Sequence, residues 1–415
     1  MNTPYVFYTN INKPWIFYFS TFISYLYNGI IGPLFVAYLL SINFNAAQIG
    51  ILLATQRVSI ILFEIPTGVL ADKYGRKKSV LASFTLMAIL LFVWFLSQDF
   101  TVLLLVSIGS GLAFTLQSGA KESLMIDSLN LSHDDSKRNR VFARLSIFGN
   151  LGFILGGLLS MVLVFYFIKS IWLAASFFNV LLFVLYLFFV KEVQIKTDII
   201  RIENRFTELL KTTKENFIVI FKSRPIFLLL SIGFIFSLIT AVYSLSYPIL
   251  FKETFNIPNY YFGFLGALSG IVGIAGAWLG QKLSQKKGYY FTLGFFSIIL
   301  MASFILLGFS QTVLLLVAVF AMIEFGRDGW FPIYQSFLNK FIPTKVRAGV
   351  LSINSTTGIL AIAAGELLAG FLLITIFSGK LIIASGLLFV IIPFLLLNIR
   401  KSLKPATIDK INQLD

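Results

Sequence analysis

The chain has 415 residues, 58% hydrophobic and 12% charged, with a mean hydropathy of +0.89; a soluble protein of this length would carry roughly 25% charged residues. Lys and Arg outnumber Asp and Glu by 33 to 18, but the cations stand in short segments between apolar runs, which argues against a nucleic-acid partner and for a role in membrane topology. With no cysteine, disulfides and thiolate chemistry are excluded; with a single histidine, His133 in a polar loop, a histidine metal site is not expected, nor is a cofactor.

A membrane helix needs about 20 apolar residues. Polar clusters, Gly and Pro divide the chain into twelve runs, at about 15–40, 46–71, 79–97, 101–129, 141–167, 171–190, 225–251, 260–283, 289–309, 312–340, 347–376 and 381–400. The first is too long for a signal h-region and reads as a retained helix. Several exceed 25 residues, which implies tilt or extension beyond the bilayer. An even count places both termini on one side. Of the 33 Lys and Arg, 27 fall in segments on that side, three (Lys169, Lys252, Lys380) on the other, and Arg57, Lys121 and Arg327 inside runs. A helix missed in the middle would erase this asymmetry, so both termini are expected in the cytoplasm.

The second run ends in GVLADKYGRKKS, residues 68–79, the most specific stretch in the chain. Gly68 lies four residues before Asp72, so both share a helix face with no side chain at Gly68 to hold off a neighbouring helix. Gly75 permits a tight reversal, and Lys73, Arg76, Lys77 and Lys78 pin the turn to the cytoplasm. Further along, residues 191–224 form the longest polar connection. Phe206, Leu209, Leu210, Thr213, Phe217, Ile220 and Phe221 recur there at helical spacing, which predicts an amphipathic helix on the inner membrane surface. The expected divisions are 1–190, the linker 191–224, 225–400 and a tail, 401–415.

The halves echo each other. GQKLSQKKG, 280–288, sits after the eighth run as 68–76 sits after the second, with Ser284 in the place of Asp72. GELLAG, 365–370, echoes GFILGG, 152–157. Gly263, Gly266, Gly270, Gly273, Gly276 and Gly280 recur every three or four residues, an unbroken smooth face that serves either close static packing or sliding.

An ionisable side chain at mid-bilayer costs about 2.5–3.5 kcal/mol on insertion scales and is a functional candidate. The tenth run carries Glu324 and Asp328 one turn apart on one face, with Arg327 between them. Glu324 is expected roughly 18 Å from the run's start at about 1.5 Å per residue. Such a trio is either a functional site or a self-neutralising group that tolerates burial. Arg57 and Glu64 lie in the second run, Lys121 and Glu122 in the fourth, and Glu366 in the eleventh. With no histidine in any run, a proton carrier has to be a carboxylate; Glu324, Asp328 and Glu64 are the candidates, while Arg57 and Lys121 could instead keep acids ionised. Tyr25 and Asn28 in the first run, Phe114 and Gln117 in the fourth, and Tyr243 and Tyr247 in the seventh, with Arg57 and Arg327, are the candidate substrate-binding wall.

Over its whole length this organisation resembles the major facilitator superfamily. The string G-x-x-x-D-K-x-G-R-K-K from Gly68 resembles its cytoplasmic signature between helices 2 and 3, and EIPTGVLADKYGRKKS resembles a bacterial subgroup assigned to drug and metabolite efflux. Gly29, Gly32 and Pro33 resemble its Gly/Pro kink. GFILGG resembles the helix-5 motif of antiporters, G-P-x-x-G-G, except that Phe153 stands where the proline would kink the helix. The resemblance implies an all-α polytopic fold, with twelve transmembrane helices in two six-helix bundles and helices 1, 4, 7 and 10 lining a central cavity. It implies a gate in which Gly68, Asp72, Gly75 and Arg76 work with Asp127; alternatively, Asp127 only caps its helix.

The expectation is a plasma-membrane secondary transporter exporting a small amphipathic molecule, a drug-like compound or metabolite, by proton antiport with alternating access. Its partners would be that substrate, protons and the bilayer, and a monomer is the working expectation. Uptake or facilitated exchange in the same fold, and a non-transporting receptor or assembly factor, are the alternatives. An enzyme is not expected: no phosphate-binding loop or catalytic set is present.

Overall fold

The computed structural model describes residues 13–131, 134–192 and 216–402. His133 and the linker positions Phe206, Leu209, Leu210 and Thr213 lie outside the described residues; Phe217, Ile220 and Phe221 stand on a short helix at 216–222.

The chain is all-helical among the described residues. Pro14 starts α1 (Pro14–Ile31), which continues through a 3-10 turn at Gly32–Leu34 into α2 (Phe35–Ser41). Then follow α3 (Ala46–Tyr74), α4 (Arg76–Leu96), α5 (Phe100–Ser128), α6 (Asp135–Tyr166) and α7 (Ser170–Phe189). After the linker come α8 (Arg224–Phe255), α9 (Asn259–Gly308), α10 (Val313–Phe341), α11 (Arg347–Leu372), α12 (Ser378–Leu387) and α13 (Ile391–Ser402). Short polar side chains begin several of these helices by accepting from otherwise orphaned amides. Asp99 accepts from Val102, Asp134 from Lys137 and Thr312 from Leu315. Asn45 and Gln48 close a reciprocal capping box at the start of α3.

Among the described residues ten helices are long and apolar enough to cross a membrane, and two features bring the number to twelve. α9, 50 residues long, contains two runs joined where Gly288 leaves helical geometry at φ 77°. α10 has the length of a span, 29 residues, but any stretch of 18 within it contains Glu324, Arg327 and Asp328. The polytopic, twelve-helix fold follows from hydrophobic length, and α10 is set apart by three charged residues within five positions near its middle.

Two compact units are formed. The first comprises Met1–Asn43, Thr55–Lys196 and Pro258–Ala267. In it α1 packs most extensively on α6, and α4 on α5 and α7. Glycines set the α1–α6 distance: a Cβ at Gly29 would overlap the Phe153 carbonyl, one at Gly152 the Phe22 carbonyl, and one at Gly156 the Leu26 carbonyl. Gly157 meets Gly263 and Ala267 at the start of α9 in the same way. Trp94 and Trp172 stack at 4.7 Å near one end of this unit, with Phe35 and Tyr38 edge-on to Trp172.

The second unit comprises Phe44–Ala54, Thr197–Ile257 and Leu268–Asp415. Here α8 packs on α11, α12 and α13. The glycine row of α9 does not present one unbroken face, as its spacing predicts, but divides between partners. Gly263 abuts Gly157 and Ser160, and Gly266 abuts Pro33, all within the first unit. In the second, Gly273, Gly276 and Gly280 face Asp328, Phe325 and Gly329 of α10. With the 325/328/329 side of α10 held against these glycines, the adjacent side carrying Glu324 and Arg327 turns to α8.

Candidate functional site

In the second unit the site is built around Glu324, which is 8% exposed. Arg327 Nη1 donates to both of its carboxylate oxygens at 3.0 Å, and the Tyr243 hydroxyl of α8 approaches Oε1 at 3.4 Å. Tyr243 is fully buried and stacks on Tyr247 at 5.0 Å; Phe304 lies 5.0 Å from Tyr243 and Phe320 5.3 Å from Tyr247. The carboxylate is therefore buried beside an aromatic cluster, where its interactions with Arg327 and Tyr243 are stronger than in water.

The spacing places Glu324 and Asp328 on one face, and the structure separates them. Asp328 is exposed and its carboxylate lies over Gly273 of α9, while Glu324 faces α8. A hundred degrees per residue leaves i and i+4 about 40° apart, enough for two neighbouring helices to take one acid each. Arg327 pairs with Glu324; no ion pair of Asp328 occurs among the described residues.

Two residues that the sequence reading passed over, Trp330 and Tyr334, support this site. Trp330 stacks on Phe236 at 3.9 Å and on Tyr334 at 5.0 Å, and its indole donates to Ser297 at 3.1 Å. The Tyr334 hydroxyl donates to the Leu229 carbonyl at 3.1 Å and lies 2.8 Å from Asn354. This ladder ties α10 to α8, α9 and α11. Trp330 and Tyr334 stand one turn apart and directly follow the charged trio, a signal hidden among 46 Phe and 16 Tyr.

The first unit carries a polar set between α1 and α5. Lys121 Nζ donates to Ser24 Oγ at 3.0 Å, Ser24 to the Ser20 carbonyl at 2.8 Å and the Asn28 amide to the Ser24 carbonyl at 2.7 Å. Buried Tyr27 interacts with the side chains of Asn28 and Gln117. Lys121 has no acidic partner among the described residues, so it does not keep an acid ionised there. Phe114 is exposed one turn from Gln117. Tyr25 is also exposed, with its ring against Gly149 of α6, whereas Asn28 belongs to the Ser24 cluster. Arg57 is half-buried in α3, and Glu64, two turns on, is exposed.

At the turn between α3 and α4, Gly75 has φ 104°, which non-glycine residues seldom adopt. The turn brings Arg76 to Asp127 at the end of α5, where the two form an ion pair. The Arg76 backbone amide donates to Glu192, a residue just past α7 that sequence spacing does not connect to this turn, and Lys77 donates to the Leu187 carbonyl at 3.0 Å. Asp72 is exposed one turn before Arg76. Gly68 departs from expectation: a Cβ there meets no described atom within 4 Å, so no helix approaches it in this conformation. The echo at 280–288 is real but shifted, since the positive-φ glycine is Gly288, one residue beyond the position matching Gly75.

Gly75→Ala is expected to cost about 1–2 kcal/mol from backbone strain and to crowd Glu192, whose carboxylate lies about 3.0 Å from where the Cβ would stand. The check is a lower thermal unfolding midpoint in detergent; an unchanged midpoint would show that the turn relaxes without strain.

The family model of the Major Facilitator Superfamily matches residues 17–366. The MFS-type transporter YxaM of Bacillus subtilis (strain 168) is 27% identical over 412 residues, 94% of this chain and 96% of that one. The quinolone resistance protein NorA of Staphylococcus aureus is 28% identical over 141 residues, 34% of this chain and 35% of that one. The crystal structure of the nucleoside transporter NupG superposes with a TM-score of 0.74 at 16% identity, covering 94% of this chain and 99% of the other, a likeness of fold. The twelve spans, the charged turn at 68–79 and these matches agree: the chain belongs to the Major Facilitator Superfamily and is a multi-pass membrane transporter of small molecules.

Proposed function

We propose that the chain exports a small amphipathic organic molecule across the plasma membrane in exchange for protons, by alternating access of the two halves, with both termini cytoplasmic and the chain acting as a monomer. The observation that carries this reading is Glu324, a carboxylate held by Arg327 and Tyr243 inside a membrane-spanning helix. A proton taken up by Glu324 would break its pairing with Arg327 and free the guanidinium, so that protonation changes the charge and the hydrogen bonding of the α8–α10 contact together. Asp328, exposed beside Gly273, is the second carrier in this scheme, and Glu64 the third. The Arg76–Asp127 pair is assigned to a closed cytoplasmic gate, with Gly68, Asp72 and Gly75 shaping the turn. Tyr25, Asn28, Arg57, Phe114, Gln117, Tyr243, Tyr247 and Arg327 are assigned to the substrate. The direction of transport draws support from the resistance function in the name of the NorA relative.

Sealed vesicles of purified protein test this, with proton movement followed while cationic dyes and small metabolites are added. Wild type is expected to show a substrate-evoked proton flux that falls at least about a hundredfold in Glu324→Gln, the lower end of the scale of one lost proton-transfer group, and falls in part in Asp328→Asn. Transport that continues without proton movement in both variants would make the chain a uniporter or exchanger.

A further inference from the structure

Within the second unit, a cavity of about 320 Å³ opens between the second half of α9 and α13, where α9 turns at Gly288 and α13 ends. Lys287 and Arg400 line it together with Phe291, Pro393 and Leu397, and no acidic residue contributes. Neither cation forms an ion pair with an acid among the described residues. Tyr290 also lines the cavity, and its hydroxyl is buried without a hydrogen-bond partner among the described residues. The floor is open at Gly294, where a Cβ would meet nothing within 4 Å.

These features describe a ligand with two parts. Two cations and an unused hydroxyl donor call for an anion rich in acceptor oxygens, because a buried hydroxyl left unbonded costs free energy that a phosphate oxygen would recover. The walls call for hydrocarbon. Phe291 is 45% and Leu397 55% exposed, and Phe394 beside them is 65% exposed, so an apolar strip runs from the cavity along the outer surface of the span. Lys287 already lies over the Phe291 ring, 4.7 Å from its centre, which holds the ammonium between the polar and apolar parts. A free phosphate would use the cations and leave the strip without a role.

We propose that this cavity is a binding site for an anionic phospholipid. Its phosphate pairs with Lys287 and Arg400 and accepts from Tyr290, and an acyl chain lies along Phe291 and Leu397. Basic pockets between membrane helices select anionic headgroups in this way. The site is separate from Glu324 and does not depend on proton coupling.

Thermal unfolding of the full-length protein in detergent tests the proposal, with titrations of phosphatidylglycerol, phosphatidylcholine and inorganic phosphate. Phosphatidylglycerol is expected to raise the wild-type midpoint by several degrees through binding to the folded state, and neither of the other two to do so. In the double variant Lys287→Gln/Arg400→Gln the half-effective phosphatidylglycerol concentration is expected to rise at least about tenfold, from the loss of two attractions to an anionic headgroup. A smaller rise is expected in Tyr290→Phe, which keeps the ring and removes the donor. Native mass spectrometry of the wild type, with phosphatidylglycerol retained over phosphatidylcholine, gives a reading independent of any variant's folding. An equal response of wild type and double variant, an equal response to both lipids, or the same shift from inorganic phosphate would each overturn the proposal.

Discussion

Replacing Arg327 with leucine is expected to destabilise the protein by about 3–5 kcal/mol, because it leaves the Glu324 carboxylate buried without its counter-ion. Both oxygens of Glu324 accept from the same guanidinium nitrogen, and the remaining partner, Tyr243, stands at 3.4 Å. One neutral hydroxyl at that distance does not replace a guanidinium. Adding Glu324→Leu to Arg327→Leu is expected to restore most of the loss, since it removes the buried charge beside Tyr243, Tyr247, Phe304 and Phe320 and leaves a single neutral hydroxyl, that of Tyr243, without its partner. The measurement is the thermal midpoint in detergent of the wild type, the single variant and the double variant. A single variant as stable as wild type would mean that water or a proton on the carboxylate compensates. The double variant also separates two roles of the pair. If it folds and still exchanges substrate for protons in vesicles, the pair only neutralises itself; if it folds and moves no protons, the pair belongs to the coupling machinery.

Hydropathy was enough to find the spans, because the bilayer imposes a length on every one of them. The charge turn at 68–79 was equally legible, since Gly75 and its cations have few other uses in a membrane protein. What each helix face meets was not. When both lipid and neighbouring helices are apolar, amphipathic periodicity fades and the face toward protein is marked mainly by small residues. Thus the sequence shows the glycine row of α9 but not its division between α6 and Pro33 at one end and α10 at the other, and it shows Glu324 and Asp328 one turn apart but not their separation. Glu192 illustrates the same limit at longer range. It reaches the Arg76 amide across 116 residues of chain, a contact that no local pattern carries. Conversely, Gly68 was legible as a small residue in a motif, yet no described atom lies within 4 Å of where its Cβ would stand.

That contrast between glycines gives the second large expected effect. Gly156→Val should prevent the protein from accumulating in a folded form, while Gly68→Ala should fold as well as wild type or better. At Gly156 an added Cβ would overlap the Leu26 carbonyl and touch the Gly29 Cα, both backbone atoms of α1, the helix most extensively packed on α6. Backbone cannot rotate away as a side chain can, so the cost should exceed the roughly 1–3 kcal/mol of ordinary overpacking. Gly152 meets the Phe22 carbonyl one turn earlier, so sliding α1 along α6 to relieve one clash would not relieve the other. At Gly68 the Cβ enters open space, and alanine gains up to about 1 kcal/mol of helix propensity. Size-exclusion profiles and thermal midpoints of the two variants decide the matter: a well-folded Gly156→Val would show that α1 and α6 are not held at glycine distance. Gly68→Ala then has a separate use. If it is stable but transports poorly, a helix must approach Gly68 in a conformation other than this one, as the gating role assigned to it requires; if it is stable and transports normally, the glycine serves neither packing nor gating, and Gly75 and Arg76 carry the turn without it.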